Sequence, residues 1–116
     1  MKKTVILVPI LVIAVTGCTL LKGPADRKTG FSDSLAVLEK AIAEENYGTA
    51  YEYLEITKEK WKKVKPFMQI EVDHDIVNDI ESELSALSAY IETGNKSMAL
   101  ASIRVIIDMW SDIGTK

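Results

Sequence analysis

Shifting this chain by 49 residues lays one half of it on the other, and no other feature constrains the fold as much. Leu35 falls on Leu84, Leu38 on Leu87 and Ile42 on Ile91; Asn46 then falls on Asn95, Ala50 on Ala99, Leu54 on Ile103 and Trp61 on Trp110. The apolar matches recur at intervals of three and four residues, the spacing that lines one face of an α-helix. Each unit reads as a helix, a short turn containing Asn, and a second helix. Ala50 and Ala99 stand at the start of the second helices, where close packing on the first requires a small side chain. A lone αα-hairpin leaves its apolar face in water, so two must pack on each other. The repeat predicts an all-α protein, an up-down four-helix bundle built from two αα-hairpins. True duplication and convergence of two amphipathic hairpins predict the same architecture.

The expected helices follow from periodicity and punctuation. The first runs over 33–45 with Leu35, Leu38 and Ile42 inward and Ser32 as N-cap. The second starts near Thr49, carries Ala50, Leu54, Thr57, Trp61 and Val64, and ends or kinks at Pro66; the apolar Phe67, Met68 and Ile70 leave a kinked continuation to about Gln69 open. The third follows Asp73 and carries Ile76, Ile80, Leu84, Leu87 and Ile91. The fourth follows Asn95 and carries Ala99, Ile103, Ile106, Trp110 and Ile113.

Ahead of the repeat, the chain reads as an address. Lys2 and Lys3 precede an apolar run, and the lone cysteine closes the tetrapeptide Val15-Thr16-Gly17-Cys18. This is the pattern of a bacterial lipobox, at which a cysteine is acylated, palmitate being the expected kind of chain, and the signal is cut just before it. The competing reading is an uncleaved anchor, because residues 4–21 carry no charge and reach the length of a spanning helix. Either way the remainder lies outside the cytoplasm, on the outer face of the cell membrane. The expected organisation is a lipoprotein signal peptide at 1–17, a lipidated Cys18 with a flexible tether at 18–32, and the helical domain at 33–116. Gly23, Pro24 and Gly30, with polar residues between, argue for the tether.

Cleavage before Cys18 takes Lys2 and Lys3 away and leaves 12 basic against 17 acidic residues, a formal charge of −5 on 99 residues. That balance argues against a nucleic-acid partner. Charge is also segregated. Lys58, Lys60, Lys62, Lys63 and Lys65 crowd the end of the second helix, and Glu71, Asp73, Asp75, Asp79, Glu81 and Glu83 the start of the third. Both placements oppose the helix dipole favourably, and the clusters can pair across the connection. Contact of the lysines with anionic head groups is the rival reading.

Catalytic chemistry finds little material. His74 is the one histidine, Asp73-His74-Asp75 lacks the further ligands of a calcium loop, and a zinc site needs two or more His or Cys. No metal, cofactor or enzymatic activity is expected. Trp61 and Trp110 read first as core. The fourth helix is broader than a core needs: Met98, Val105 and Met109 form a second apolar stripe, and the arc spans roughly 200° at 100° per residue. Deep burial explains this, and so does a face left open for a partner, for which methionines are suited.

Asn46-Tyr47 followed by Ala50, then Trp61, then Val72-Asp73-His74-Asp75-Ile76 leading into Leu84-Ser85-Ala86-Leu87 resemble a family of short exported bacterial proteins. It is known as domain of unknown function 4363, and the likeness runs from Ser34 to Ile113. The resemblance implies an all-helical extracytoplasmic domain, with a plain membrane anchor in many members, and supplies no activity. The expected role is an interaction module of the cell envelope, docking a membrane or envelope protein through Met98, Val105 and Met109. The alternative is a small-ligand carrier with a pocket between the hairpins near the two tryptophans.

Overall fold

A computed structural model describes residues 22–113. Among them are five α-helices and no strand: α1 (Lys22–Thr29), α2 (Phe31–Ala43), α3 (Tyr47–Glu71), α4 (His74–Glu92) and α5 (Lys96–Asp112). α2 pairs with α3 and α4 with α5, while α3 on α4 and α2 on α5 close the ring; α1 lies on α3 and α2. This is the expected four-helix bundle with one helix added in front of it.

The repeat governs the core. Leu35, Leu38, Ile42, Ala50, Leu54 and Trp61 are buried, and so is every residue 49 positions on. The correspondence runs further than the motif residues: Phe31 falls on Ile80, Thr57 on Ile106 and Val64 on Ile113, all buried. α4 turns Val77 rather than Ile76 fully inward; Ile76 packs at the margin.

The two hairpin turns are one structure made twice. After α2, the Glu45 N–H donates to the Ile42 carbonyl (3.0 Å) and the Asn46 N–H to that of Ala41 (2.9 Å). After α4, the Gly94 N–H donates to Ile91 (3.1 Å) and the Asn95 N–H to Tyr90 (2.9 Å). These are Schellman closures, which satisfy the last helical carbonyls. Each asparagine then caps the next helix: Asn46 Oδ1 accepts from the Thr49 N–H at 3.3 Å, and Asn95 Oδ1 from the Met98 N–H at 3.2 Å. The turns also touch. Lys96 Nζ meets the Glu45 carboxylate at 3.3 Å, and the Tyr47 hydroxyl donates to the Gly94 carbonyl at 3.4 Å. Tyr47 and Lys96 are themselves 49 apart, so the two contacts are reciprocal, as an internal two-fold requires.

Each of the four seams that close the bundle carries a polar clasp. Thr57 Oγ1 donates to Ser34 Oγ (3.0 Å) between α2 and α3, both buried. Lys65 reaches Glu81 (2.6 Å) between α3 and α4. Ser102 Oγ donates to Glu83 Oε1 (2.9 Å) between α4 and α5, and Arg104 Nε to Glu39 Oε2 (3.1 Å) between α5 and α2. Of the lysine cluster, Lys65 alone has its ion pair across to α4; Lys58 and Lys62 pair with Glu55 and Glu59 inside α3.

Residues 22–32 do not form the expected tether. The chain is helical from Lys22, Ala25 is buried, and Phe31 is wholly enclosed. Pro24 does not prevent α1, because a proline in the first turn forgoes an N–H that has no helical partner there. Nor does Ser32 cap α2; it lies inside the helix, and Asp26 of α1 accepts from its N–H (2.8 Å) and its Oγ (2.7 Å). Gly30 makes the corner at φ 72, where a Cβ would come within 2.9 Å of Lys60 Nζ. At the other end of the hairpin α3 runs through Pro66 to Glu71. Pro66 and Lys62 one turn earlier are both exposed, so the carbonyl deprived of its helical donor lies on the solvent side.

The closures require a left-handed residue, met by Gly94 (φ 66) in one turn and Glu45 (φ 59) in the other. Only glycine takes this conformation without a Cβ clash. Gly94→Ala should therefore lower stability by about 1 kcal/mol, and Glu45→Gly should raise it by roughly 0.5–1 kcal/mol. The exposed Lys96 pair is too weak to reverse the second sign. Urea midpoints measured on both variants check the pair of signs.

Candidate functional site

The outer faces of α4 and α5 meet in a shallow groove of about 180 Å³ lined by Glu83, Tyr90, Met98, Ala101, Ser102 and Val105. Met98 and Val105 are 44 % and 42 % exposed, among the most open large apolar side chains of the described residues. The structure thus brings together two of the three stripe residues. Met109 stands apart, half-buried against the core. The breadth of the apolar arc on α5 has two causes: Ala99, Ile103, Ile106 and Trp110 face inward, and the Met98–Val105 edge stays open. Sequence reasoning missed Tyr90, Ala101, Ser102 and Glu83. Ser102 is buried beneath the groove and binds both the carbonyl (3.1 Å) and the carboxylate of Glu83, which fixes that acid at the wall.

The internal repeat supplies a control for this surface. Met98, Ala101 and Val105 on α5 stand where α3 has Thr49, Glu52 and Ile56. Two of the three equivalent positions on α3 are polar, so an apolar edge here is a property of this hairpin and not of the architecture.

Groove charge is one-sided. No lysine or arginine occurs between Lys65 and Lys96. The two basic residues of α5, Lys96 and Arg104, are drawn to Glu45 and Glu39 in the other hairpin. What remains beside the groove is acidic.

The tryptophan end is filled. The Phe31 ring lies 4.7 Å from that of Trp110, edge to face, and 5.6 Å from that of Trp61. It occupies the space in which a ligand between the hairpins would sit. Trp61 Nε1 donates to Glu81 Oε2 at 2.9 Å, and Lys65 pairs with the same oxygen. Among the described residues no three His, Cys, Asp or Glu side chains gather as a metal site, and His74 lies exposed at the start of α4. Asp73 precedes α4 in the N-cap position without a side-chain hydrogen bond. Cys18 lies outside the described residues. Among those described, no helix is long and apolar enough to cross a membrane.

The Lys65 ammonium on Glu81 holds its carboxyl below the ordinary value of 4.5; burial opposes this, and the Trp61 N–H adds to the lowering. A carboxyl lowered by folding stabilises the fold above its unfolded pKa, and that contribution is lost as pH falls through the folded value. Wild type should lose more stability than Glu81→Gln between neutral pH and the range below 4.5. Urea titrations followed by tryptophan emission check this, and equal losses would mean that the clasp contributes nothing.

No curated protein and no solved structure matches the chain. The family model described as domain of unknown function (DUF4363) matches residues 26–116, which takes in the last part of α1, the whole bundle and both walls of the groove. Because that match spans most of the chain, this protein belongs to the DUF4363 family.

Proposed function

We propose that this protein is a binding module of the cell envelope and not an enzyme, held at the outer face of the cell membrane through lipid on Cys18. Its docking surface is the α4–α5 groove, and its partner is an envelope or membrane protein presenting an apolar helix flanked by lysine or arginine. The observation that carries the reading is the pair of exposed side chains Met98 and Val105 around Ala101, in a groove whose one charged lining residue is Glu83. Apolar contact supplies affinity at such a surface and charge complementarity supplies choice of partner. The lipobox supports the address. A ligand between the hairpins is disfavoured, because Phe31 fills that space.

Met98→Gln with Val105→Gln should leave stability within about 0.5 kcal/mol, as exposed substitutions do. Met109→Gln should cost about 1 kcal/mol, since its side chain is half-buried. In cells, a photo-crosslinking residue at Ala101 should give a discrete adduct that the double variant abolishes, with none from the equivalent Glu52. The mass of the mature amino terminus, a diacylated or triacylated Cys18, checks the anchor. Equal adducts at both positions would sink the docking surface while leaving the anchor standing.

A further inference from the structure

We propose that the tip of α3, formed by Pro66, Phe67 and Ile70, rests in the interfacial layer of the membrane that anchors the chain, so that the bundle lies against the bilayer instead of standing clear of it. The inference rests on the anchor reading and holds for either form of anchor, lipid on Cys18 or a span over residues 4–21.

Reach is the first argument. α1 is already formed at Lys22 and is packed on the bundle through Ala25. Lys22 is four residue steps from Cys18, a span of at most about 14 Å even when fully extended. Crossing the head-group layer uses several ångströms of that, since the head groups add about 5–7 Å on each side of the hydrocarbon. The start of α1 is therefore held at the lipid surface, and the bundle proper begins one eight-residue helix, about 12 Å, further on.

α1 joins the bundle through the Gly30 corner beside Lys60, and Phe31 follows against Trp61 and Trp110, so the later part of α3 and the end of α5 lie beside that junction. The two Schellman turns close the opposite end. α5 stops at Asp112, which corresponds to Lys63 of α3, yet α3 continues eight residues further. Those residues add about 12 Å of helix. They turn Val64 and Met68 inward, both fully buried, and leave Phe67 at 42 % and Ile70 at 76 % exposure. Phe67 and Ile70 are three apart on one helix face, and Ile70 is the most open large apolar side chain of the described residues. An aromatic ring and a branched aliphatic on the edge nearest the anchor gain by leaving water at the head-group boundary. Asp73 and Asp75 follow in the next turn and are exposed, which limits the depth of entry to the tip itself. They also make the contact independent of anionic lipid, since they oppose whatever attraction Lys62 and Lys63 provide.

The test uses the anchored full chain in phosphatidylcholine vesicles, with a nitroxide on Ile70→Cys. Cys18 is the sole native cysteine, and its thiol is blocked when lipidated; a Cys18→Ser background serves if it is not. A second label at Tyr51→Cys, exposed on the same helix about 28 Å away toward the turns, reports water. The expected result is a several-fold lower accessibility to a water-soluble nickel chelate at 70 than at 51, higher accessibility to oxygen at 70, and no change when phosphatidylglycerol is added. Vesicle-bound protein with equal chelate access at both labels would overturn this inference and leave the anchor intact. Spin–spin broadening at 70 that grows with protein density would overturn it in favour of a second copy. Full-length protein that does not float with vesicles would overturn both the inference and the anchor.

Discussion

Phe31 holds the two hairpins to one another. It is the first residue of the bundle proper, it is fully enclosed, and its ring meets Trp61 from one hairpin and Trp110 from the other. Aromatic contacts of this kind contribute beyond their buried area, and the area itself is large. Everything at that end depends on this arrangement. α1 can lie on α3 only because Gly30 turns the chain just before Phe31, with Asp26 clasping Ser32 one residue past it. The opposite end is closed differently, by two matching turns that exchange Glu45–Lys96 and Tyr47–Gly94 contacts. A hydrophobic wedge at one end and a polar reciprocal contact at the other make a single body of two halves.

Much of this was legible because packing and repetition enforce each other. Every apolar position matched by the 49-residue shift is buried in both halves, down to Ala50 and Ala99. The same shift extended back by four residues sets Phe31 on Ile80, and forward sets Val64 on Ile113, so the ends of the core were also encoded in the chain. α1 was not legible. Its eight residues, KGPADRKT, have no periodic apolar face, and a single buried alanine and a few polar clasps fix it by tertiary context. Pro66 left both an end and a continuation open, and the continuation is the one formed: an exposed proline near the end of a long helix can be absorbed where the helix on either side is packed.

The groove was half legible. The second stripe on α5 pointed to Met98 and Val105, and both are open; Met109 falls one step round the helix and packs inward. Tyr90 and Glu83 come from α4, and nothing local in that helix sets them apart from neighbouring surface positions. They become part of a site only when α5 lies beside them. Comparison with the equivalent positions 49 residues earlier, Thr49 and Glu52 against Met98 and Ala101, is the signal that would have singled out this face.

The central claim is that neither hairpin is a folding unit and that Phe31 joins them. Phe31→Ala, followed by urea unfolding with tryptophan emission resolved in Trp61→Phe and Trp110→Phe backgrounds, tests it directly. The account predicts a loss of about 3–5 kcal/mol, the range for truncating a buried phenylalanine, with both tryptophans reporting one shared transition. A loss under about 1 kcal/mol, as for a surface site, or a tryptophan that keeps its native emission after the other has unfolded, would contradict it.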